Sequence, residues 1–226
     1  MLPRSEPTTN LLGRDITAAL PDSDQVIGTA AMDPAYARVW ERAVPHLHIR
    51  SNDVHTIHSF AIARALVDLH PDAQADVVLP AIILHDTGWS RVPADEVLEG
   101  IAPGGDRPDL VLRHEKEGAS IAREVLEELG CPHTDEIVEI IDGHDSRKHA
   151  LSLNDSLVKD ADKLWRLTPH GVDTVMDWFG LTREQAHRLI SYRVHDHLFT
   201  DAARSMARIL GAVAWTDTSP QRRALG

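Results

Sequence analysis

A histidine and an aspartate stand side by side at the end of one of the most apolar segments of this chain. The segment DVVLPAIILHD, residues 76–86, is apolar on every side of a helix, which predicts a buried central helix that ends on His85 and Asp86. A buried carboxylate at a helix C-terminus is disfavoured by the helix dipole and by the loss of hydration, unless a cation lies close to it. We therefore expect a metal ion beside Asp86.

Three more histidines fall on the core-facing sides of other predicted helices. In NDVHTIHSFAIARALVDL, residues 52–69, the helical period puts His58 inward and His55 one turn earlier, nearer the edge. His114 lies in the inward stripe of the next long helix, and His144 shares a face with isoleucines before it. A single inward histidine is more often a hydrogen-bonded core residue than a ligand. Their combination favours a metal centre.

A later helix supplies the remaining carboxylate. Its segment LVKDADKLWRL, residues 157–167, contains Asp160 and Asp162, and the apolar period does not choose between them. The chain has a single cysteine, Cys131, so no Cys-x-x-Cys pair can hold zinc. Imidazole and carboxylate ligands without thiolate suit Mn, Fe, Co, Ni or Zn better than Ca. We expect one or two such divalent ions per chain.

Composition narrows the class of partner. The net charge of −12 argues against a nucleic-acid partner, because such binding depends on clustered Lys and Arg. A small-molecule substrate is the better expectation, and if it is anionic, a local positive site or a metal must attract it. No stretch approaches the roughly 20 apolar residues that a membrane-spanning helix needs, and the N-terminus lacks the apolar core of a signal peptide. These features predict a cytoplasmic protein without a membrane partner.

The elements that must position these side chains are helices. Apolar residues recur at helical spacing through most of the chain and alternating β-branched runs are absent, which predicts an all-α helical bundle. We expect one domain over residues 33–214, between a loosely ordered leader at 1–32 and a tail at 215–226. The predicted helices lie near residues 34–44, 52–69, 75–86, 109–129, 134–144, 154–166, 172–179, 182–197 and 200–212.

The order His58, then His85 and Asp86, then Asp162 resembles the H…HD…D signature of the HD-domain superfamily of metal-dependent phosphohydrolases. The segments LPAIILHDTGW, RHEKEGASIAREVLEELG, EIVEIIDGH and LVKDADKLW are similar to the corresponding helices of that family, over roughly residues 50–170. The resemblance implies an HD-domain helical bundle. It also selects His58 over His55 and Asp162 over Asp160 as metal ligands.

The activity that the resemblance implies is hydrolysis of a phosphoester, often in a nucleotide, at a divalent metal. His58, His85, Asp86 and Asp162 would hold the ion, with Asp86 at the catalytic centre, while water and a phosphoryl oxygen take the open positions. Basic residues near the signature could bind further phosphate oxygens, although a solvated helix face explains them about as well. These candidates are Lys163, Arg166, Lys116 and Arg91.

His114 and His144 open a second interpretation. Cyclic-dinucleotide phosphodiesterases and the mixed-valent di-iron oxygenases related to myo-inositol oxygenase resemble this chain in carrying two further histidines, and they bind two metals. Asp86 would then bridge the ions, and two irons could activate dioxygen instead of a phosphoester. A non-catalytic domain that binds a metal or ligand is a further alternative. Trp89 stands where many members carry Lys or His, which leaves its contact with substrate open.

Overall fold

Ten α-helices form the described part of the chain, which comprises residues 9–20, 32, 34–105 and 107–216 of a computed structural model. These residues contain no β-strand, so the predicted all-α class is confirmed. The helices are α1 (Ala37–Ala43), α2 (Asn52–Asp68), α3 (Ala75–Leu84), α4 (Val97–Ile101), α5 (Pro108–Leu129), α6 (Thr134–Ile141), α7 (Leu153–Leu164), α8 (Pro169–Phe179), α9 (Arg183–His195) and α10 (Asp201–Trp215).

The described residues fall into two units. The first, residues 9–20, contains an isolated bridge between Thr9 and Asp15 and one turn of 3-10 helix. The second begins at residue 32 and contains all ten helices. The predicted leader and tail lie largely outside the described residues. No helix in the described ranges is both long enough and apolar enough to cross a bilayer.

Helix α3 lies at the centre of the larger unit. Every residue from Val77 to Leu84 is buried, as its continuous apolar sequence predicts. It packs against α2 and α7, and also against α6, so its C-terminal end is surrounded by other helices. His85 and Asp86, which follow Leu84, therefore lie in the interior of the bundle.

A close approach of backbone to backbone joins the end of α3 to α5. The 3-10 turn at Thr87–Arg91 packs directly on α5, where a Cβ on Gly88 would lie 1.9 Å from the carbonyl oxygen of His114. Only glycine fits at this contact. Gly118 faces the same turn from α5. The two glycines bring the segment that carries Asp86 against the helix that carries His114.

Side-chain caps set the beginnings of the last four helices. Ser152, Thr168, Thr182 and Thr200 each accept a hydrogen bond from a backbone N–H in the first turn of α7, α8, α9 and α10. The carboxylate of Asp160 on α7 accepts hydrogen bonds from the backbone N–H groups of Phe199 and Thr200 and from the Thr200 hydroxyl. Asp160 therefore fixes the start of α10 against α7.

Candidate metal centre

Two pairs of histidines meet at the carboxylate of Asp86. Its Oδ2 atom lies 3.3 Å from His55 Nε2 and 3.7 Å from His85 Nε2. Its Oδ1 atom lies 3.8 Å from His114 Nε2 and 3.6 Å from His144 Nε2. All five side chains are buried. Each carboxylate oxygen thus faces one pair of imidazoles, and each pair with Asp86 forms a group that could hold a metal ion.

Asp162 closes the first of these groups. Its Oδ1 atom lies 3.5 Å from His55 Nε2 and 3.6 Å from His85 Nε2, and its side chain is buried. Asp160, the alternative from the sequence, points the other way and caps α10. The structure therefore brings Asp162, and not Asp160, to the centre.

His55 stands where the sequence placed His58. The buried face of α2 carries Asn52, His55, Ser59, Ala63 and Leu66, and several of these are small or polar. A face with so few apolar residues gives no apolar stripe in the sequence. The stripe predicted from the helical period was therefore displaced by about one position from the buried face, and it included His58 instead of His55. The His58 ring is partly exposed and lies edge-on to the His170 ring at 5.1 Å.

The hydrogen bonds of the outer ring nitrogens test whether the cluster suits a metal. His85 Nδ1 donates to the carbonyl oxygen of Ile82 at 2.8 Å, and His144 Nδ1 donates to that of Ile141 at 2.9 Å. With the proton on Nδ1, each Nε2 turns a lone pair inward. His55 and His85 bring their Nε2 atoms to 2.9 Å, and the other pair brings them to 3.4 Å. Ring nitrogens this close need either a proton or a metal cation between them, and the imidazole and carboxylate donor set fits a divalent transition metal.

The electrostatics favour the neutral form of His55 and His114 but the protonated form of His144. Burial lowers the pKa of His55 to about 3 and that of His114 to about 4. Burial also lowers the pKa of His144, but its hydrogen bond to Asp86 and the negative charges of Asp145 and Asp86 raise it to about 9, so binding of an ion there would release a proton from His144. Burial alone would raise the pKa of Asp86, but His85 and a hydrogen bond from His144 hold it well below its usual range. Neutral imidazoles around an ionised carboxylate are the forms that bind a metal ion.

Trp89 braces this centre. Its indole Nε1 donates a hydrogen bond to Asp86 Oδ1 at 3.0 Å, and its ring stacks on His114 at 4.0 Å between centroids. The opposite neighbour is Arg50, whose guanidinium lies 4.5 Å above the Trp89 ring. Trp89, at the position where the family resemblance implies Lys or His, therefore orients the Asp86 carboxylate and the His114 imidazole.

Arg50 is a residue that the sequence analysis missed. Its side chain is buried between Trp89 and Trp178, and its Nη2 atom lies 3.6 Å from Asp86 Oδ2. Arg50 and Ser51 both have positive φ, 55° and 59°, a strained conformation that turns the chain just before α2. Helical periodicity gives no signal for such a residue because it lies outside a helix.

The loop after α6 is held from two sides. Glu115 accepts hydrogen bonds from the backbone N–H groups of Asp145 and Ser146 and from the Ser146 hydroxyl. The buried ammonium of Lys159 donates to the carbonyl oxygens of Gly143, His144 and Arg147. These contacts fix His144 in the centre although it lies beyond the end of its helix, three residues after the last helical position.

Asp145 extends the second group toward solvent. Its Oδ2 atom lies 3.7 Å from His114 Nε2 and 3.9 Å from His144 Nε2, and 27% of its side chain is exposed. Asp145 also lines a cleft of about 310 Å³. On the other side of the cleft floor, Arg166 Nη1 lies 3.4 Å from Asp162 Oδ1. The cleft therefore reaches both halves of the centre.

Of the four basic candidates from the sequence, the structure brings only Arg166 to the cleft. Lys163 donates to the carbonyl oxygen of Lys159 and lies 5.9 Å from the Phe199 ring. Lys116 and Arg91 are exposed and do not line the cleft. Their spacing along the sequence placed them near the signature, but their helix faces turn outward.

Comparison with known proteins gives one match. The family model of the HD domain matches residues 53–167, just over half of the chain. No curated protein and no solved structure matches the chain significantly. The matched range contains all six residues of the two histidine pairs, Asp86 and Asp162, whereas Arg50 and Trp178 lie outside it.

Proposed function

Since this chain belongs to the HD-domain family, we propose that it is a metal-dependent phosphohydrolase that cleaves a small anionic phosphoester. The observation that carries this proposal is the pair of imidazole groups that share Asp86, placed beneath a cleft that also contains Arg166. The net charge of −12 supports a small molecule rather than a nucleic acid as the substrate.

We propose two ions per chain. His55, His85 and Asp162 would hold one ion together with Asp86 Oδ2, and His114 and His144 would hold the other together with Oδ1. The separate orientation of the two Asp86 oxygens supports this assignment. Mn, Fe, Co, Ni and Zn all suit such ligands.

A divalent ion at such a site lowers the pKa of water and withdraws charge from phosphorus. The residues of the chain do the rest. Arg166 binds phosphoryl oxygens at the cleft floor, and Arg50 compensates the charge of Asp86. Asp145 Oδ2 faces the cleft and accepts a hydrogen bond from the attacking water. The water oxygen adds to phosphorus as the ester P–O bond breaks, and the departing alcohol takes up the proton that the water loses.

The charge balance explains why an anion binds. Asp86, Asp145 and Asp162 contribute three negative charges, and Arg50 and Arg166 contribute two positive ones. One divalent ion is enough to make the local charge positive, and a second makes it more so. An anionic substrate is therefore attracted to this site against the negative field of the whole protein.

Metal content and hydrolysis together test the proposal. Protein purified without added metal is analysed for elements, then loaded with Mn, Fe, Co, Ni or Zn and assayed with p-nitrophenyl phosphate and a panel of natural phosphoesters. We expect metal-dependent hydrolysis that Asp86→Asn abolishes and that Asp142→Asn, a change at an exposed position, leaves intact. Absence of hydrolysis with every metal and ester contradicts the proposal.

The same experiment separates the oxygenase alternative. Four imidazoles around a shared carboxylate are also ligands that iron accepts. Iron bound in pairs, with visible charge-transfer absorption and substrate-dependent uptake of dioxygen, would support an oxygenase in place of the hydrolase.

A further inference from the structure

The cleft above the metal centre differs sharply between its floor and its walls. The floor carries Asp145 and Arg166, which contact the two halves of the centre. The walls come from α5, α8 and α9 and from the segment that begins in α4. Apart from Arg193, their side chains are hydrophobic or glycine, and Trp178 and Phe179 are the aromatic ones.

None of the lining residues has a hydroxyl or amide side chain, and the indole N–H of Trp178 is the one neutral side-chain donor among them. The third charged residue, Arg193, donates its guanidinium hydrogens to the carbonyl oxygens of Ile101 and Ala102, and so ties α9 to the opposite wall. Apart from Arg193 and the Trp178 indole, the wall side chains therefore offer no hydrogen-bond partner for sugar hydroxyls or for the edge of a nucleobase. Polar groups that lose water without gaining a hydrogen bond weaken binding, so such substrates are disfavoured here.

The walls instead offer aromatic surface. Trp178 and Phe179 end α8 side by side, and both line the cleft. The centroid of the Trp178 ring also lies 5.2 Å from the guanidinium carbon of Arg50. Trp178 therefore contacts a charged residue of the centre and also lines the apolar wall. The volume of about 310 Å³ lies at the small end of the range for ligand pockets, roughly 300–1,000 Å³.

We infer that the substrate is a phosphomonoester of a compact apolar alcohol, preferably an aromatic one. Its phosphoryl group lies at the metal centre beside Arg166, and its apolar body packs against Trp178 and Phe179. This inference rests on the proposed function and adds the chemical class of the leaving group. Hydrolysis releases that apolar alcohol and inorganic phosphate.

A panel of esters tests the preference. Metal-loaded protein is assayed with benzyl phosphate and 1-naphthylmethyl phosphate against AMP and ribose 5-phosphate, so that every leaving group is a primary alcohol. We expect kcat/KM to be at least about tenfold higher for the two aromatic esters, the size of effect that one well-fitting apolar contact produces. Faster hydrolysis of AMP or ribose 5-phosphate overturns the inference and leaves the proposed function standing.

Variants of the wall identify the cause of that preference. Trp178→Ala and Phe179→Ala should each raise KM for 1-naphthylmethyl phosphate about tenfold and change the kinetics of ribose 5-phosphate little. Tyr192→Ala is the matched control, because Tyr192 lies on α9 but is 82% exposed and does not line the cleft. Circular dichroism establishes that each variant is folded, and Trp178→Leu replaces Trp178→Ala if the latter is not.

Calorimetric binding gives a readout that does not depend on turnover. Phenylphosphonate and methylphosphonate, whose P–C bonds resist hydrolysis, are titrated into the metal-loaded protein. Tighter binding of phenylphosphonate, lost in Trp178→Ala, supports the preference of the cleft for an apolar group beside the phosphoryl group. If no ester is cleaved, that preference stands and the proposed hydrolysis is what fails. Equal affinity for the two phosphonates overturns the inference.

Discussion

The two halves of the metal centre are built from different kinds of structure. His55, His85 and Asp162 come from α2, from the end of α3 and from α7, which pack on one another in the core. The other half takes His114 from α5 but His144 from the loop beyond α6. Asp162 is 3% exposed in its side chain, whereas Asp145, at the edge of the second half, is 27% exposed.

This structural difference predicts that the two expected ions differ in binding affinity and in their contact with the substrate. The core helices fix the ligands of the first half, so little ordering remains when an ion binds there. The ligands of the second half depend on a loop that Glu115 and Lys159 hold in place, and they lie next to the cleft. We expect the first ion to bind more tightly and the second to exchange more readily and to meet the substrate.

The largest effect is expected from the residue that both halves share. Asp86→Ala should abolish binding of both ions and lower the free energy of unfolding by about 3–5 kcal/mol, because Arg50 loses its buried counter-charge and the Trp89 indole loses its acceptor. Elemental analysis and thermal melting measure the two effects. Asp142→Ala is the control, since Asp142 is exposed. Unchanged metal content in Asp86→Ala would show that Asp86 binds neither ion and would contradict the proposed metal centre.

The next largest effect distinguishes His55 from His58. His55→Ala should remove the first ion and most of the activity, since His55 Nε2 faces both Asp86 and Asp162. His58→Ala, at a neighbouring position of the same helix, should keep the metal content. The reverse result would mean that the sequence period, and not the packing of α2, identifies the ligand.

That pair of variants marks the limit of what the sequence could predict. The long amphipathic helices, such as α5 with its inward His114, follow from the 3.6-residue period, and so does the all-α class. The buried face of α2 does not, because Asn52, His55 and Ser59 carry little apolar signal. Only the packing against α3 and α7 decides which face of that helix is buried.

Two further residues of the centre that the sequence analysis missed lie outside regular helices. Arg50 precedes α2 with a positive φ, and Asp145 follows α6 in a loop. Periodicity says nothing about side-chain direction in such segments. The short helix α4 was missed for a related reason, since five residues are too few to show a period. Arg166 was selected from its spacing, and its contact with Asp162 depends on the i, i+4 geometry of the end of α7.

A smaller loss is expected in the second half. The double variant with His114→Ala and His144→Ala should bind one ion per chain and keep the ion at His55, His85 and Asp162. The ligand groups overlap only at Asp86, so the first group stays complete. Anomalous scattering from crystals of the variant locates the remaining ion. Two ions in the variant, or one ion in fully loaded wild type, would contradict the assignment of two sites.

A change that leaves every ligand in place should weaken one half selectively. Glu115→Gln removes the negative charge of the carboxylate that accepts hydrogen bonds from the backbone N–H groups of Asp145 and Ser146. We expect the second ion to bind about 10- to 100-fold more weakly, the usual effect of losing a group that orients a ligand. The affinity for the first ion should not change. Competition with a chelator measures both, and Glu117→Gln on the same helix is the control. Equal weakening at both sites would show that the loop does not set the difference between the halves.

The smallest effect is expected at Asp160, two residues before the proposed ligand Asp162. Its carboxylate accepts three hydrogen bonds at the start of α10 and faces away from the metal centre. An amide can still accept from the backbone N–H of Phe199, but its NH₂ group meets the donors of Thr200. Asp160→Asn should therefore lower the free energy of unfolding by about 1–2 kcal/mol through loss of hydrogen bonds to Thr200. Because the two carboxylates leave α7 in different directions, metal content should stay at the wild-type level.

Asp162→Asn should show the opposite pattern, with loss of the first ion. Denaturant unfolding and elemental analysis of both variants measure the two quantities. Loss of metal in Asp160→Asn with retention in Asp162→Asn would move the ligand by two residues and place the first half of the centre on the other face of α7.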